Sequence, residues 1–112
     1  MGKLEQLNNL LDFLPELFPP DLVCITLSNT THFINIWWRE GNELGESLGK
    51  YIYPGKKLEL NVMLGLVAKH KKKITKYYTK EESISGFPYL AVGVPVYEDG
   101  QIVGGICAVR EE

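Results

Sequence analysis

Residues 87–109 read FPYLAVGVPVYEDGQIVGGICAV. Two apolar runs of period-two character are joined there by Asp99-Gly100. Asp-Gly between alternating hydrophobics is a strong hairpin signal, because a type I′ turn requires positive φ at both central residues. With those two residues as the loop, Glu98 faces Gln101 and the register follows by counting outwards. Val96 then lies opposite Val103, Val94 opposite Gly105, Val92 opposite Cys107 and Leu90 opposite Val109. The other face pairs Tyr97 with Ile102, Pro95 with Gly104, Gly93 with Ile106 and Ala91 with Ala108. One face is branched and aliphatic, and the other is mostly small residues over which another element can pass closely. Both faces read as covered, so this is a central hairpin in a layered domain. The fold and the functional reading both lean on this ribbon, and in particular on Val92 and Cys107 facing each other.

The chain around it has 112 residues, the size of one domain with a core of its own. It is 45% hydrophobic and 23% charged, and its net charge of −2 excludes nucleic-acid binding through a general basic field. No apolar run approaches the roughly 20 residues that a membrane span needs. The N-terminus lacks the order of a signal peptide. Two cysteines in a domain of this size do not form a disulfide framework. These features predict a cytoplasmic protein, or a soluble piece of a larger one.

Ahead of the hairpin, Leu4, Leu7, Leu11, Leu14 and Phe18 recur at spacings of three and four, the stripe of an amphipathic helix. Pro15 falls inside the pattern and must kink or restart it, and Pro19-Pro20 ends it. Residues 21–28, DLVCITLS, read as a first strand, and residues 32–39, HFINIWWR, as a second. Phe33, Asn35, Trp37 and Arg39 would share one face of that strand. Residues 40–54 read as a connecting loop with at most a short helical turn. A helix is expected from Glu59 or Asn61 to about Lys72, with Leu64 on its apolar side and Asn61 as a candidate cap. Residues 74–79, ITKYYT, form a third strand. One domain, 1–112, thus divides into a leading helical segment, 1–20, and a sheet core, 21–112. Tight turns join most of the strands, which excludes a doubly wound parallel sheet. The predicted class is α+β, with a five-stranded, mostly antiparallel sheet flanked by helices.

The closing hairpin, AVGVPVYEDGQIVGGICAV, resembles the last two strands of intracellular GAF and PAS-like sensor domains. The helix with an internal Pro and a Pro-acidic exit, the tract Tyr53-Pro54-Gly55, and Gly86-Phe87-Pro88 before the fourth strand extend the likeness. They look like the input domains at the front of bacterial chemotaxis-type transducers and sensor regulators. The resemblance implies a sheet order of 2-1-5-4-3 and a middle segment that covers one face to make a small ligand pocket. In that order, strands one and five are neighbours, which brings Cys24 near Cys107. The third strand must also stop short of Pro95, which has no N–H to offer it.

Candidate chemistry is sparse. His32 and His70 are the only histidines, and no spacing matches a zinc site. A haem needs one histidine, but His32 starts a strand and His70 ends a helix, both in wet positions. Cys24 and Cys107 sit in apolar runs and read as small buried hydrophobes before they read as a redox pair. No phosphate-binding glycine loop and no catalytic triad spacing is present. The lysines of 69–73 read as a solvated helix end, where cations complement the helix dipole.

The expected function is therefore that of a non-enzymatic sensory domain. A small molecule of unknown identity, with no cofactor specified, would sit between the sheet and residues 41–67. Phe33, Trp37, Tyr51, Tyr53 and Leu64 would line the pocket, with Arg39 as a charged anchor. Occupancy would shift the leading helix or a homodimer contact made through it, with neither nucleic acid nor membrane as partner. The alternative is a profilin- or roadblock-like interaction module, which shares the helix-plus-sheet plan and pairs surfaces without a pocket. A cavity lined by polar and aromatic groups favours the first. A solid core with an exposed apolar patch favours the second.

Overall fold

The computed structural model describes residues 2–111. Helix α1 spans Lys3–Leu10 and is followed by a 3-10 turn, Leu14–Leu17. Strands β1 (Leu22–Ser28) and β2 (Phe33–Trp38) come next, then helices α2 (Glu43–Leu48) and α3 (Met63–His70). Strands β3 (Ile74–Tyr78), β4 (Tyr89–Glu98) and β5 (Gln101–Glu111) complete the chain. The five strands form one antiparallel sheet in the order β2-β1-β5-β4-β3. Class and strand order agree with the sequence reading.

The turn falls where expected. Asp99 and Gly100 have φ of +50° and +79°, and Glu98 pairs with Gln101. Beyond Tyr97 the expected register fails. Val96 pairs with Gly104, leaving Val103 as an extra residue in β5. A one-residue bulge moves every later side chain to the other face. Val92 therefore pairs with Ala108, and Cys107 with Gly93. Val92 and Cys107 point to opposite faces, so the functional reading loses the footing the register offered and has to stand on the geometry of a site.

Two more bulges act in the same way. Val23 is the extra residue between β1 and β5, and Ile34 between β1 and β2. Because of Ile34, Phe33 joins the core on the side of α2 and α3, whereas Trp37 packs on the side of α1. The expectation that they share a face is corrected. The expectation for Pro95 holds: β3 ends its pairing at Ile74 with Gly93, two residues short of the proline.

The main core lies between the sheet and helices α2 and α3. Leu44, Leu48, Leu64 and Val67 come down onto Val23, Cys24, Cys107 and Val109. Each fully buried side chain of this size contributes roughly 1.5–3 kcal/mol. Gly93 admits α3: a Cβ there would lie 2.6 Å from both Met63 and Val67. Helix α2 starts at Asn42, whose side chain accepts the Gly45 N–H at 2.9 Å. Helix α3 starts at Met63 without a side-chain cap, so Asn61 does not serve as one. It ends at Lys71 in the left-handed conformation, with Lys69 and His70 in its last turn.

A smaller core lies on the opposite face, where Leu4, Leu7, Leu11 and Leu14 cover Leu22, Ile25 and Leu27. The helix ends earlier than its apolar stripe. A helical Pro15 would lack an N–H and its ring would strike the carbonyl of Leu11, so α1 stops at Leu10 and the chain re-forms as a 3-10 turn. Asn35 Nδ2 donates to Asn8 Oδ1 at 2.7 Å and ties α1 to β2. Two adjacent glycines of β5 face opposite helical layers. Gly104 faces α1, where a Cβ would overlap the Ser28 carbonyl oxygen and come within 2.9 Å of Leu4. Gly105 faces α3, with a Cβ 3.0 Å from Leu64.

Candidate functional site

The chain between α2 and α3 folds back onto the outer edge of β2. Tyr53-Pro54-Gly55-Lys56 is a turn closed by the Lys56 N–H donating to the Tyr53 carbonyl at 3.0 Å. Gly55 has φ of +91°, which with Pro54 before it is the residue pattern of a type II turn. The returning segment then pairs with the start of β2. Gly55 N–H donates to Phe33 O at 2.8 Å, Phe33 N–H to Lys56 O at 2.9 Å, and Leu58 N–H to Thr31 O at 2.8 Å. His32 and Lys57 form an antiparallel bridge.

This fold-back leaves a cleft of about 150 Å³. Its lining includes Phe33 from β2, Tyr51 and Tyr53 from the middle segment, Val62 at the entry of α3, and Ile84 from the β3–β4 connection. Phe33 and Val62 are buried, while the two tyrosines are half exposed. Lys50, Lys56, Lys57, Glu59 and Asn61 supply the polar part of the wall. Lys56 Nζ lies 3.6 Å from Glu59 Oε1.

Three residues expected at a ligand site, Phe33, Tyr51 and Tyr53, are therefore brought together, and three are not. Leu64 is buried under α3 against Gly105 and does not line the cleft. Trp37 and Arg39 line a separate groove with Asp12, Pro15 and Phe18 on the α1 side. There the Arg39 guanidinium stands 5.2 Å from the Trp37 ring centre. Its Nε donates to the Leu22 carbonyl at 2.6 Å, and its terminal nitrogen lies 3.4 Å from the Pro19 carbonyl oxygen. It ties the exit of the leading segment to the start of β1. The lysines and Asn61 were missed at the sequence level. The Pro54-Gly55 turn was the available signal, since it sends Lys56 and Lys57 back along the strand edge.

The thiols are buried on one face of neighbouring strands: Cys24 pairs with Val109, and Thr26 with Cys107. Burial pushes both thiols up, Cys107 to about 12, and Cys107 adds to the effect on Cys24. Neither is a thiolate near neutral pH, which removes the nucleophile that redox chemistry needs. His32 and His70 are exposed, and Nδ1 of His32 lies 2.8 Å from Thr31 Oγ1. Among the described residues, no group of three or more His, Cys, Asp and Glu side chains is placed to hold a metal ion. No helix among them is long and apolar enough to cross a membrane.

No protein-family model, curated protein or solved structure matches the chain.

A further surface is apolar. Phe13 and Leu17 are 67% and 79% exposed on the leading segment. Beside it, Phe18, Leu22, Leu90, Val92 and Ala108 line a groove of about 200 Å³ on the α1 face. Helix α1 packs on β1 and on the turn end of β4, where the Lys3 N–H meets the Glu98 carboxylate, and Leu90 and Val92 towards the other end of β4 line the groove.

Proposed function

We propose that the domain is a non-enzymatic sensory module of PAS- or GAF-like plan. It holds a small molecule in the cleft between β2 and the middle segment and signals through the leading helix or a homodimer contact. One observation carries the reading. The Tyr53–Lys56 turn is hydrogen-bonded to the edge of β2, yet the walls it builds stand apart instead of packing shut. Phe33, Tyr51 and Tyr53 supply an apolar and aromatic surface, and the lysines and Asn61 supply polar groups, the mixture that small-molecule sites use.

Size narrows the ligand. The cleft's volume is near 150 Å³. It falls below the 300 Å³ or so at which drug-sized pockets begin. The cleft thus suits a small ligand. Occupancy moves the equilibrium only by its differential affinity for two states. Native mass spectrometry of protein purified without stripping tests the reading. A co-purifying small mass that is lost in Tyr53→Ala supports it. No bound mass, with no change in backbone amide spectra on adding cell extract metabolites, sinks it.

The second reading is an interaction module of the profilin or roadblock kind, acting without a ligand. Exposed Phe13 and Leu17 and the open apolar groove on β4 favour it. Sedimentation of the double variant Phe13→Ser, Leu17→Ser separates the two. Loss of a self-associated species with cleft binding intact places the apolar surface downstream of the sensor. Loss of association in a protein that binds no small molecule leaves the interaction module as the function.

A further inference from the structure

We infer that the cleft takes a small free carboxylate, with Lys50 and Lys57 as its charged anchors. The inference rests on the reading that the cleft holds a ligand, and it names the chemistry of that ligand.

Lys50, Lys56, Lys57 and Glu59 are the ionisable lysines and carboxylate that line the cleft. Lys56 and Glu59 satisfy each other at 3.6 Å. Lys50 and Lys57 make no ion pair with any described residue. The wall thus carries an excess of positive charge in a chain whose net charge is −2. The backbone explains why Lys57 stays at the wall: its peptide is fixed by the bridge to His32.

The rest of the lining selects among anions. Phe33, Val62 and Ile84 give the cleft an apolar side, which suits the hydrocarbon body of a short organic acid and offers nothing to a free inorganic phosphate. Glu59 stands on the same wall and repels a dianionic phosphoryl group more than a single carboxylate. The small volume of the cleft suits a short acid. Tyr51 and Tyr53 line the same cleft, and an acid seated among them and the lysines would be less screened than in open solvent. Both lysines are exposed, so each contributes about two- to fivefold in Kd.

The test uses the full chain and matched probes. Propionate, pyruvate and succinate are titrated against propionamide, pyruvamide and succinamide, with backbone amide shifts followed by NMR. Wild type is compared with Lys50→Gln, Lys57→Gln and, as a control away from the cleft, Lys72→Gln. All three lysines are exposed, so the variants are expected to fold. At least one acid should shift the amides of residues 50–62 at a concentration where its amide does not. Each cleft lysine variant should weaken it about two- to fivefold, and Lys72→Gln should not. Added salt should weaken binding further. Equal binding of acid and amide, or full affinity in Lys50→Gln and Lys57→Gln, overturns the carboxylate inference and leaves the ligand site standing. A co-purifying neutral or cationic molecule in the cleft does the same. Shifts confined to other parts of the fold also overturn it. Absence of any ligand, charged or neutral, overturns the sensory reading as well.

Discussion

Gly65 of α3 lies against the carbonyl of Glu59, so closely that a Cβ at position 65 would overlap that oxygen. Helix and cleft wall are thus in backbone contact. Gly65→Ala tests which of two effects wins. Alanine in a helix interior is favoured over glycine by about 1 kcal/mol, but the clash is with backbone and has no flexible side chain to absorb it. Overpacking of this kind costs about 1–3 kcal/mol or more. The expected outcome is a net loss of about 1–2 kcal/mol in urea denaturation, with amide shifts at 58–62. A stabilised variant would show that the two segments separate freely.

Tyr78 is buried with its ring stacked on Tyr89, centroids 4.7 Å apart, and its hydroxyl has no hydrogen-bond partner among the described residues. A buried unsatisfied polar group costs about 1–3 kcal/mol. Tyr78→Phe keeps the stack and removes that group, so it should raise stability by about 1 kcal/mol. Chemical denaturation of the two proteins checks this, and a loss of more than 1 kcal/mol would mean the hydroxyl is paired in solution.

Stability should fall in alkali. Burial raises Cys107 from 9.0 to about 12 and Cys24 well above 9.0, and burial raises Tyr78 from 10.0 to about 12. A thiol raised in the folded state keeps its proton while the unfolded chain loses it. The unfolded form is therefore favoured progressively between pH 9 and the folded value. Each pH unit in that window costs about 1.4 kcal/mol per buried thiol. A denaturation midpoint that holds below pH 8.5 and drops steeply above 9 is expected. Cys24→Ala, Cys107→Ala should flatten much of that drop, although the cavities lower its starting point. Alkylation by iodoacetamide at pH 8 should need urea.

Arg39→Ala should cost about 1 kcal/mol through the lost hydrogen bond from Nε to the Leu22 carbonyl; the Pro19 carbonyl still accepts the Leu22 N–H at 3.1 Å. Trp37 fluorescence should change, since the guanidinium over its ring is gone. Binding in the cleft should not change, because Arg39 lines the groove on the other side of the sheet. A tenfold loss of ligand affinity in this variant would return Arg39 to the role of anchor.

What could be read from the residues alone follows from where local chemistry decides the backbone. Asp99-Gly100 is such a place, because few other pairs accept positive φ twice. Pro95 is another, because its missing N–H sets where β3 must end. The facing of the strands is different. The extra residues at the bulges are Val23, Ile34 and Val103, all of them ordinary strand-forming apolar residues. Nothing in an apolar pattern marks which member of such a run stands unpaired, so counting from the turn goes wrong after the first one. The cleft inherited that error: Phe33 and Trp37 were expected together and stand on opposite faces. Tyr51 and Tyr53 were legible as aromatic residues near a turn. Lys50 and Lys57 were not, because a charge in a loop reads as solvated until the loop is known to double back.

The glycines at 104 and 105 have a mechanical consequence. Leu4 leans on one and Leu64 on the other, so at that spot the two helical layers are divided by a single bare ribbon of main chain. Close-packed interiors pass displacement on instead of cushioning it. A nudge to the 59–62 loop presses on α3 through Gly65, and α3 rests on the bare ribbon with α1 just behind it. Through that strip of main chain a knock on one side would be felt directly on the other.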